Sequence, residues 1–520
     1  MFDPRSALRL RWARGAAFVI ALVVVLSGWL LAAPPGASPD DEYHLTSIWC
    51  AEGYQDGLCL ADVGSAPGSR VLVPLSVLDL TCFQHDGRRS AACATASLQS
   101  PLQQFTPVRG SNINGERPNT YYRAMHLLIG DDLAGSLARM RAANLVLIAA
   151  MVALTALVAP PRVRRAFLLS TLVASIPLGF FLMTSLNSSA WGLAGLTTLW
   201  ANILTSMLHT RTLNRLTGAG LAGLGLVLGL GSRTEASLHI TVTAAALAMI
   251  WWGTQSQTGR QLHTAVLRRS VAIALTGGGL VLSLVLLSPG SARLDRLFKD
   301  ITFGYERLSN RGIGDPFLAI AFEVPSLWSG AVGHIWGLGA LDTPIPMLAT
   351  LPSITMFAML LTVGLQGATR SRTLAATAVG VSLFVMPMLS LMRSGLLVYE
   401  QLQPRQFMVM LYLILGLALV RLPWESDLAI GPAMRALAIF ALGLSHSVAL
   451  LVTMRRHISG LVEFRYVSFA SEVEWWWSAG PGPNTVWAAA SIAFVIALSL
   501  VLRMFPSTSR AHGAGVVANP

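Results

Sequence analysis

Ala16-Ala17-Phe18-Val19-Ile20-Ala21-Leu22-Val23-Val24-Val25-Leu26-Ser27-Gly28-Trp29-Leu30-Leu31-Ala32-Ala33 is an apolar run with no charge, no proline and no alternation. At about 1.5 Å per residue such a run approaches the roughly 30 Å of a bilayer core. Arg5, Arg9, Arg11 and Arg14 precede it, and Pro34-Pro35 follows it. A cleaved leader has an apolar core of roughly 7–15 residues and a small-residue cleavage site. This core is longer, and two prolines follow its one plausible site. The run therefore reads as a retained span with its N-terminus in the cytoplasm.

The rest of the chain repeats the pattern. Of 520 residues, 53% are hydrophobic and 12% charged, and the mean hydropathy is +0.59. Soluble domains carry roughly 25% charged residues. Backbone polar groups in lipid must pair within the protein, so spans are helices or closed barrels. Barrel strands would alternate over roughly 10 residues; these runs do not. Further spans are expected at 143–160, 166–184, 190–208, 217–231, 236–253, 270–288, 348–367, 373–392, 405–421, 433–453 and 485–503. The fold class is thus an all-α polytopic membrane protein of about twelve spans. The run at 217–231 carries six glycines, which fit a tilted, a broken or a closely packed helix.

Net charge is +12. In a soluble protein that would raise nucleic acid as a partner. Here arginines crowd the short connections, at Arg162, Arg164, Arg165, Arg211, Arg215, Arg260, Arg268, Arg269, Arg370, Arg372, Arg421, Arg435, Arg503 and Arg510. That is the bias of cytoplasmic loops, so the partner is a lipid bilayer and not nucleic acid. Lys299 is the only lysine, as a GC-rich genome would produce. Both termini are expected inside. Three long segments, 34–142, 289–347 and 454–484, then fall outside. Residues 1–505 read as one transmembrane domain and 506–520 as a disordered cytoplasmic tail.

Cys50, Cys59, Cys82 and Cys93 all lie in the first of these segments. Four clustered cysteines in a polar segment suit two disulfides in an oxidising compartment. Local pairing, Cys50 with Cys59 and Cys82 with Cys93, is preferred among three connectivities. A zinc site is disfavoured because no CxxC-type spacing occurs.

Large outer loops place any chemistry at the outer face. Pro39-Asp40-Asp41-Glu42-Tyr43-His44 follows the first span. Its carboxylates could serve a hydroxyl nucleophile as general base, or form a solvated turn capping a short helix. Asn119-Thr120-Tyr121-Tyr122-Arg123 precedes the second span and also suits an interfacial anchor. Ser185-Leu186-Asn187-Ser188-Ser189 is a tight turn that could face the same cavity. Ser232-Arg233-Thr234-Glu235 could grip a phosphate through Arg233 or close on itself as an ion pair. Paired glycines and prolines bend the segment His334–Pro346. Arg405, in Gln403-Pro404-Arg405-Gln406-Phe407, could bind phosphate or snorkel to water. Trp475-Trp476-Trp477, beside Glu472 and Glu474, suits a membrane interface, with sugar stacking as the alternative.

Taken in order, these segments resemble a family of uncharacterised predicted membrane proteins of the GT-C glycosyltransferase superfamily. The family's PDExxH motif matches Pro39–His44, with Asp41 where the family has Glu. Its paired tyrosines match Tyr121-Tyr122, and its Ser-x-Asn turn matches Ser185-Leu186-Asn187. A late FGWLDTPLP segment is similar to Leu338–Pro346, with Ala340 in place of Trp. A QGRYFLP motif is similar to Gln403-Pro404-Arg405-Gln406-Phe407, with Pro404 for Gly and Gln406 for Tyr. The substitutions mark a divergent member.

The resemblance implies a GT-C-like fold and transfer of a sugar from a polyprenyl-phosphate donor to a glycan or glycolipid acceptor. The site would lie on the outer face of a bacterial plasma membrane, with inversion at the anomeric carbon. Asp40 or Asp41 would be the catalytic base. His44, Tyr122, Asn187, Arg233, Glu235, Asp342 and Arg405 would bind substrate, with Arg233 and Arg405 on the phosphate. No cofactor is required, no metal ligand is assigned, and the carboxylates leave room for a divalent metal. A transporter or flippase for a lipid-linked substrate is the runner-up. It fits less well because charges within the spans are scarce and no two-half symmetry is visible. A non-catalytic scaffold for envelope assembly is the third reading.

Overall fold

The computed structural model describes residues 4–65, 70–258, 291–461, 469 and 472–507. The expected span at 270–288 and the tail from 508 onward lie outside these residues. Every other expected span is helical over most of its length. Among the described residues, seven helices are long and apolar enough to cross a membrane: Trp12–Ala32, Leu133–Val158, Thr212–Leu230, Met347–Leu365, Arg370–Ser394, Pro432–Ser459 and Pro483–Leu502. Ala236–Trp252, Pro316–Val332 and Met408–Leu419 are shorter apolar helices.

Proline and glycine set the boundaries. The first helix, Pro4–Ala32, ends before Pro34-Pro35, which can neither continue it nor donate an N–H. Pro161, Pro316, Pro432 and Pro483 open their helices, where a missing N–H costs nothing. Gly395, at φ 61°, closes Arg370–Ser394 as an αL cap. The glycine-rich run is an unbroken helix, Thr212–Leu230, packed on Ser189–Leu208. A Cβ on Gly225 would stand 2.8 Å from the Gly195 carbonyl oxygen. Close packing is therefore the reading that holds.

Other boundaries differ from expectation. Leu133–Val158 starts well before 143, because Arg139 and Arg141 look like loop residues but belong to the helix. Pro432–Ser459 runs past 453 for the same reason, carrying Arg455, Arg456 and His457. The expected loop at 289–347 holds two helices, Ser291–Asn310 and Pro316–Ser329. Glu323 and Pro325 interrupt the second and conceal it from a hydropathy reading. Residues 166–184 form two helices, Pro161–Ala174 and Leu178–Met183.

The all-α expectation misses a small sheet in the first long segment. Strands β1 (Leu60–Ala61), β2 (Val71–Pro74) and β3 (Phe105–Val108) pair antiparallel in that order. Disulfides Cys50–Cys59 and Cys82–Cys93 flank it, which is the local pairing. Helices Asp41–Trp49 and Thr120–His126, from the same segment, pack against each other.

Candidate functional site

A helix leaves its last four carbonyls without intrahelical partners. At the end of Pro4–Ala32, side chains from distant parts of the chain take them. Arg141 Nη2 donates to the Leu30 and Ala33 carbonyls, the second at 2.7 Å, and its Nε to Thr184 O at 3.1 Å. Trp477 Nε1 donates to Leu31 O at 2.9 Å. His457 Nδ1 lies 3.0 Å from Ala32 O. A cation at this end also suits the helix dipole.

The collar continues along the turn that follows. Gln84 Nε2 donates to Gly36 O at 2.7 Å and to Ser38 O at 3.1 Å. Pro39 O accepts from Asn187 Nδ2 at 2.9 Å and from Arg405 Nη1 at 3.0 Å. Asp40 sits in the left-handed region, at φ 60°, at the N-cap of Asp41–Trp49. An N-cap Asp usually accepts from the helix's own N–H groups. Asp40 makes no such bond; its carboxylate is turned instead onto Arg405 Nη2.

That ion pair forms one wall of a polar cavity of about 180 Å³. Asp40, Arg117, Arg233, Glu235, Gln403 and Arg405 line it, with Ser232, Thr234 and Gln406. The turn 231–235 is anchored by Gly231 O, which accepts from Tyr121 N at 3.2 Å. Arg233 pairs with Glu235 through Nε at 2.8 Å. Arg233 holds the Glu235 carboxyl down at about 2, against the opposing effect of burial. Arg405 stands on the 3-10 turn Pro404–Gln406, whose Pro404 packs against Gly330. Arg117 lies 4.2 Å over the Tyr43 ring, a cation–π contact. Asn112 fixes its backbone, accepting from Arg117 N at 2.7 Å and donating to Arg117 O at 2.9 Å. Among the described residues Arg117 has no carboxylate partner. Three guanidinium groups against two carboxylates leave the cavity one positive charge.

Asp41 faces the other way. It is buried and accepts from Ser38 N at 3.0 Å and from Ser38 Oγ. Burial lifts its carboxyl to about 6; the Ser38 hydrogen bonds and the Arg141 charge oppose this. His44 is also buried, with Nδ1 2.9 Å from the Tyr122 hydroxyl. Burial, followed by Arg405, Arg233 and Arg117, holds its pKa well below the usual imidazole range, so His44 is neutral. Burial pushes Tyr122 up to about 12. His44 and Tyr122 form a neutral buried pair and are not among the residues that line the cavity.

The sequence-derived candidates therefore divide. Asp40, Arg233, Glu235 and Arg405 meet on the cavity. Asn187 grips the turn that carries Asp40. Asp342 stands elsewhere, accepting from Arg456 Nη2 at 2.8 Å and His85 N at 3.2 Å. Fully buried Arg456 also donates to Phe83 O and Arg89 O, so Asp342 ties the loops together away from the cavity. Trp477 holds the collar. Sequence reasoning missed Arg117, Arg141 and Gln84. Arg117 stands in a loop without a motif, and its stacking on Tyr43 is a tertiary contact. A divalent ion would find Asp40 and Glu235 on the cavity, and both already face guanidinium groups.

No curated protein and no solved structure matches the chain. The model of a family described as predicted membrane protein (DUF2142) matches residues 22–415. The match runs from the first span to the helix after Arg405 and takes in every residue of the cavity. The chain therefore belongs to the DUF2142 family of predicted membrane proteins.

Proposed function

We propose that this protein is a membrane-embedded glycosyltransferase of the GT-C kind. It moves a sugar from a polyprenyl-phosphate donor to a glycan or glycolipid acceptor at the outer face of a bacterial plasma membrane. About twelve spans and cytoplasmic termini complete the reading. The observation that carries it is the cavity in which Asp40, Arg117, Arg233 and Arg405 meet directly after the first span. A donor whose lipid lies in the bilayer needs its reacting group at such a boundary. Its leaving phosphate needs cations aimed where charge develops, and guanidinium forks suit phosphate oxygens.

Asp40, on the cavity, is the base. Its carboxylate takes the acceptor hydroxyl proton while the acceptor oxygen bonds to the anomeric carbon. The bond from that carbon to the phosphate oxygen breaks, and its electron pair leaves with the polyprenyl phosphate. Attack opposite the phosphate inverts the centre. Asp41 is buried against Ser38, which suits a positioning residue better than a base.

The test is the purified full chain in lipid nanodiscs, supplied with polyprenyl-phosphate sugars and envelope acceptors. Asp40→Asn should lower transfer about 100-fold or more, the usual scale for a lost general base. Glu42→Gln, at an exposed position off the cavity, should leave it near wild type. Full transfer by Asp40→Asn refutes the reading and leaves the flippase or scaffold.

A further inference from the structure

The same cavity holds an internal competition. Arg405 is almost wholly buried, with a side-chain exposure of 6%, and it binds Asp40, whose side chain is 41% exposed. Asp40 is thus the half of the pair within reach of an incoming ligand. The Arg405 fork is divided: Nη1 holds Pro39 O and Nη2 holds Asp40. Pro39 O is also held by Asn187, so the turn stays anchored if Arg405 changes partner. Asp40 makes no cap bond to its own helix, and among the described residues its side chain hydrogen-bonds to Arg405 alone.

We infer that Asp40 is a built-in competitor for Arg405, and that its protonation raises the cavity's positive charge by one as the bound phosphate gains a negative charge. The inference rests on the transferase reading for its direction and on the ion pair for its substance. A sugar-phosphate-lipid donor is a phosphodiester with one negative charge. The resting cavity, with three guanidinium groups and two carboxylates, carries one positive charge. When the acceptor proton passes to Asp40, that carboxylate becomes neutral and releases Arg405. The leaving polyprenyl phosphate is by then a monoester with two negative charges, facing a cavity with two positive ones. The proton lost by the acceptor is the one Asp40 gains, so total charge is conserved. Charge matching moves with the reaction, and binding strengthens towards the product side of the transition state. Release of the product then requires Asp40 to lose its proton and reclaim Arg405.

The probes are farnesyl monophosphate and its methyl diester, titrated into the purified full chain at about pH 8, where a phosphate monoester is doubly charged. Asp40→Asn removes the competitor and keeps a residue tolerant of left-handed backbone. It should tighten the monoester about tenfold, the scale of one charged hydrogen bond, and the diester about threefold or less. Asp40→Gly, at ease with positive φ, should do the same. In an Arg405→Gln background the Asp40→Asn gain for the monoester should vanish. Equal tightening of both ligands, or no tightening of the monoester, overturns the inference. Selective tightening of the monoester without sugar transfer removes the transferase reading and its proton coupling, and leaves the competition between Asp40 and phosphate for Arg405. Transfer without exchange removes only this inference.

Discussion

Asp41 gives the sharpest residue-scale prediction. Its carboxyl titrates at about 6 in the folded chain against 3.8 as a free side chain. Between those values the folded state binds more protons than the unfolded state. Stability should therefore fall as pH rises from about 4 to 6 and level off above. The shift corresponds to about 3 kcal/mol. Asp41→Asn should flatten this slope in thermal unfolding scans across the same pH range, and an unchanged slope would assign it to another group. Asp40, Arg233 and Arg405 were legible in the sequence because charge is scarce in this chain and each stands beside an apolar run. The division of labour between Asp40 and Asp41 was not legible. Adjacent residues at a helix start point in different directions, and only the left-handed backbone at Asp40 shows which one meets the cavity.

At the scale of elements, the collar around the end of Pro4–Ala32 decides where the site can form. Arg141 is its centre, with three carbonyls bound from one buried guanidinium. Arg141→Met should leave those carbonyls dry and unpaired and cost about 3 kcal/mol or more. A lowered melting temperature, with Arg139→Met near wild type, would show it; equal effects would argue against the collar. The helices were legible where apolar runs were long and cleanly bounded. They were illegible at Leu133, at Arg455–His457 and in Pro316–Ser329. There, buried polar side chains or an internal Glu and Pro interrupt the apolar pattern, and tertiary hydrogen bonds satisfy groups that hydropathy assigns to water. The sheet β1–β3 is too short to show a period.

At the scale of the whole molecule, orientation is the open consequence of the arginine pattern. Alkaline phosphatase inserted after Gly110 should be active and a fusion after Arg503 inactive, with the reverse for a cytoplasmic fluorescent reporter. Opposite results would invert the proposed sidedness. The collar has a further consequence, for the order of assembly. The first span and the turn carrying Asp40 are made before the side chains that clasp them. The disulfides close over separations of only 9 and 11 residues, so the surrounding loop can lock early. His457 and Trp477, which grip Ala32 and Leu31, are translated after every cavity residue and lie beyond the family match at residue 415. A site whose residues are made first is thus completed by residues made later, and a nascent protein halted before Trp477 would carry every cavity residue without the full clasp that holds them.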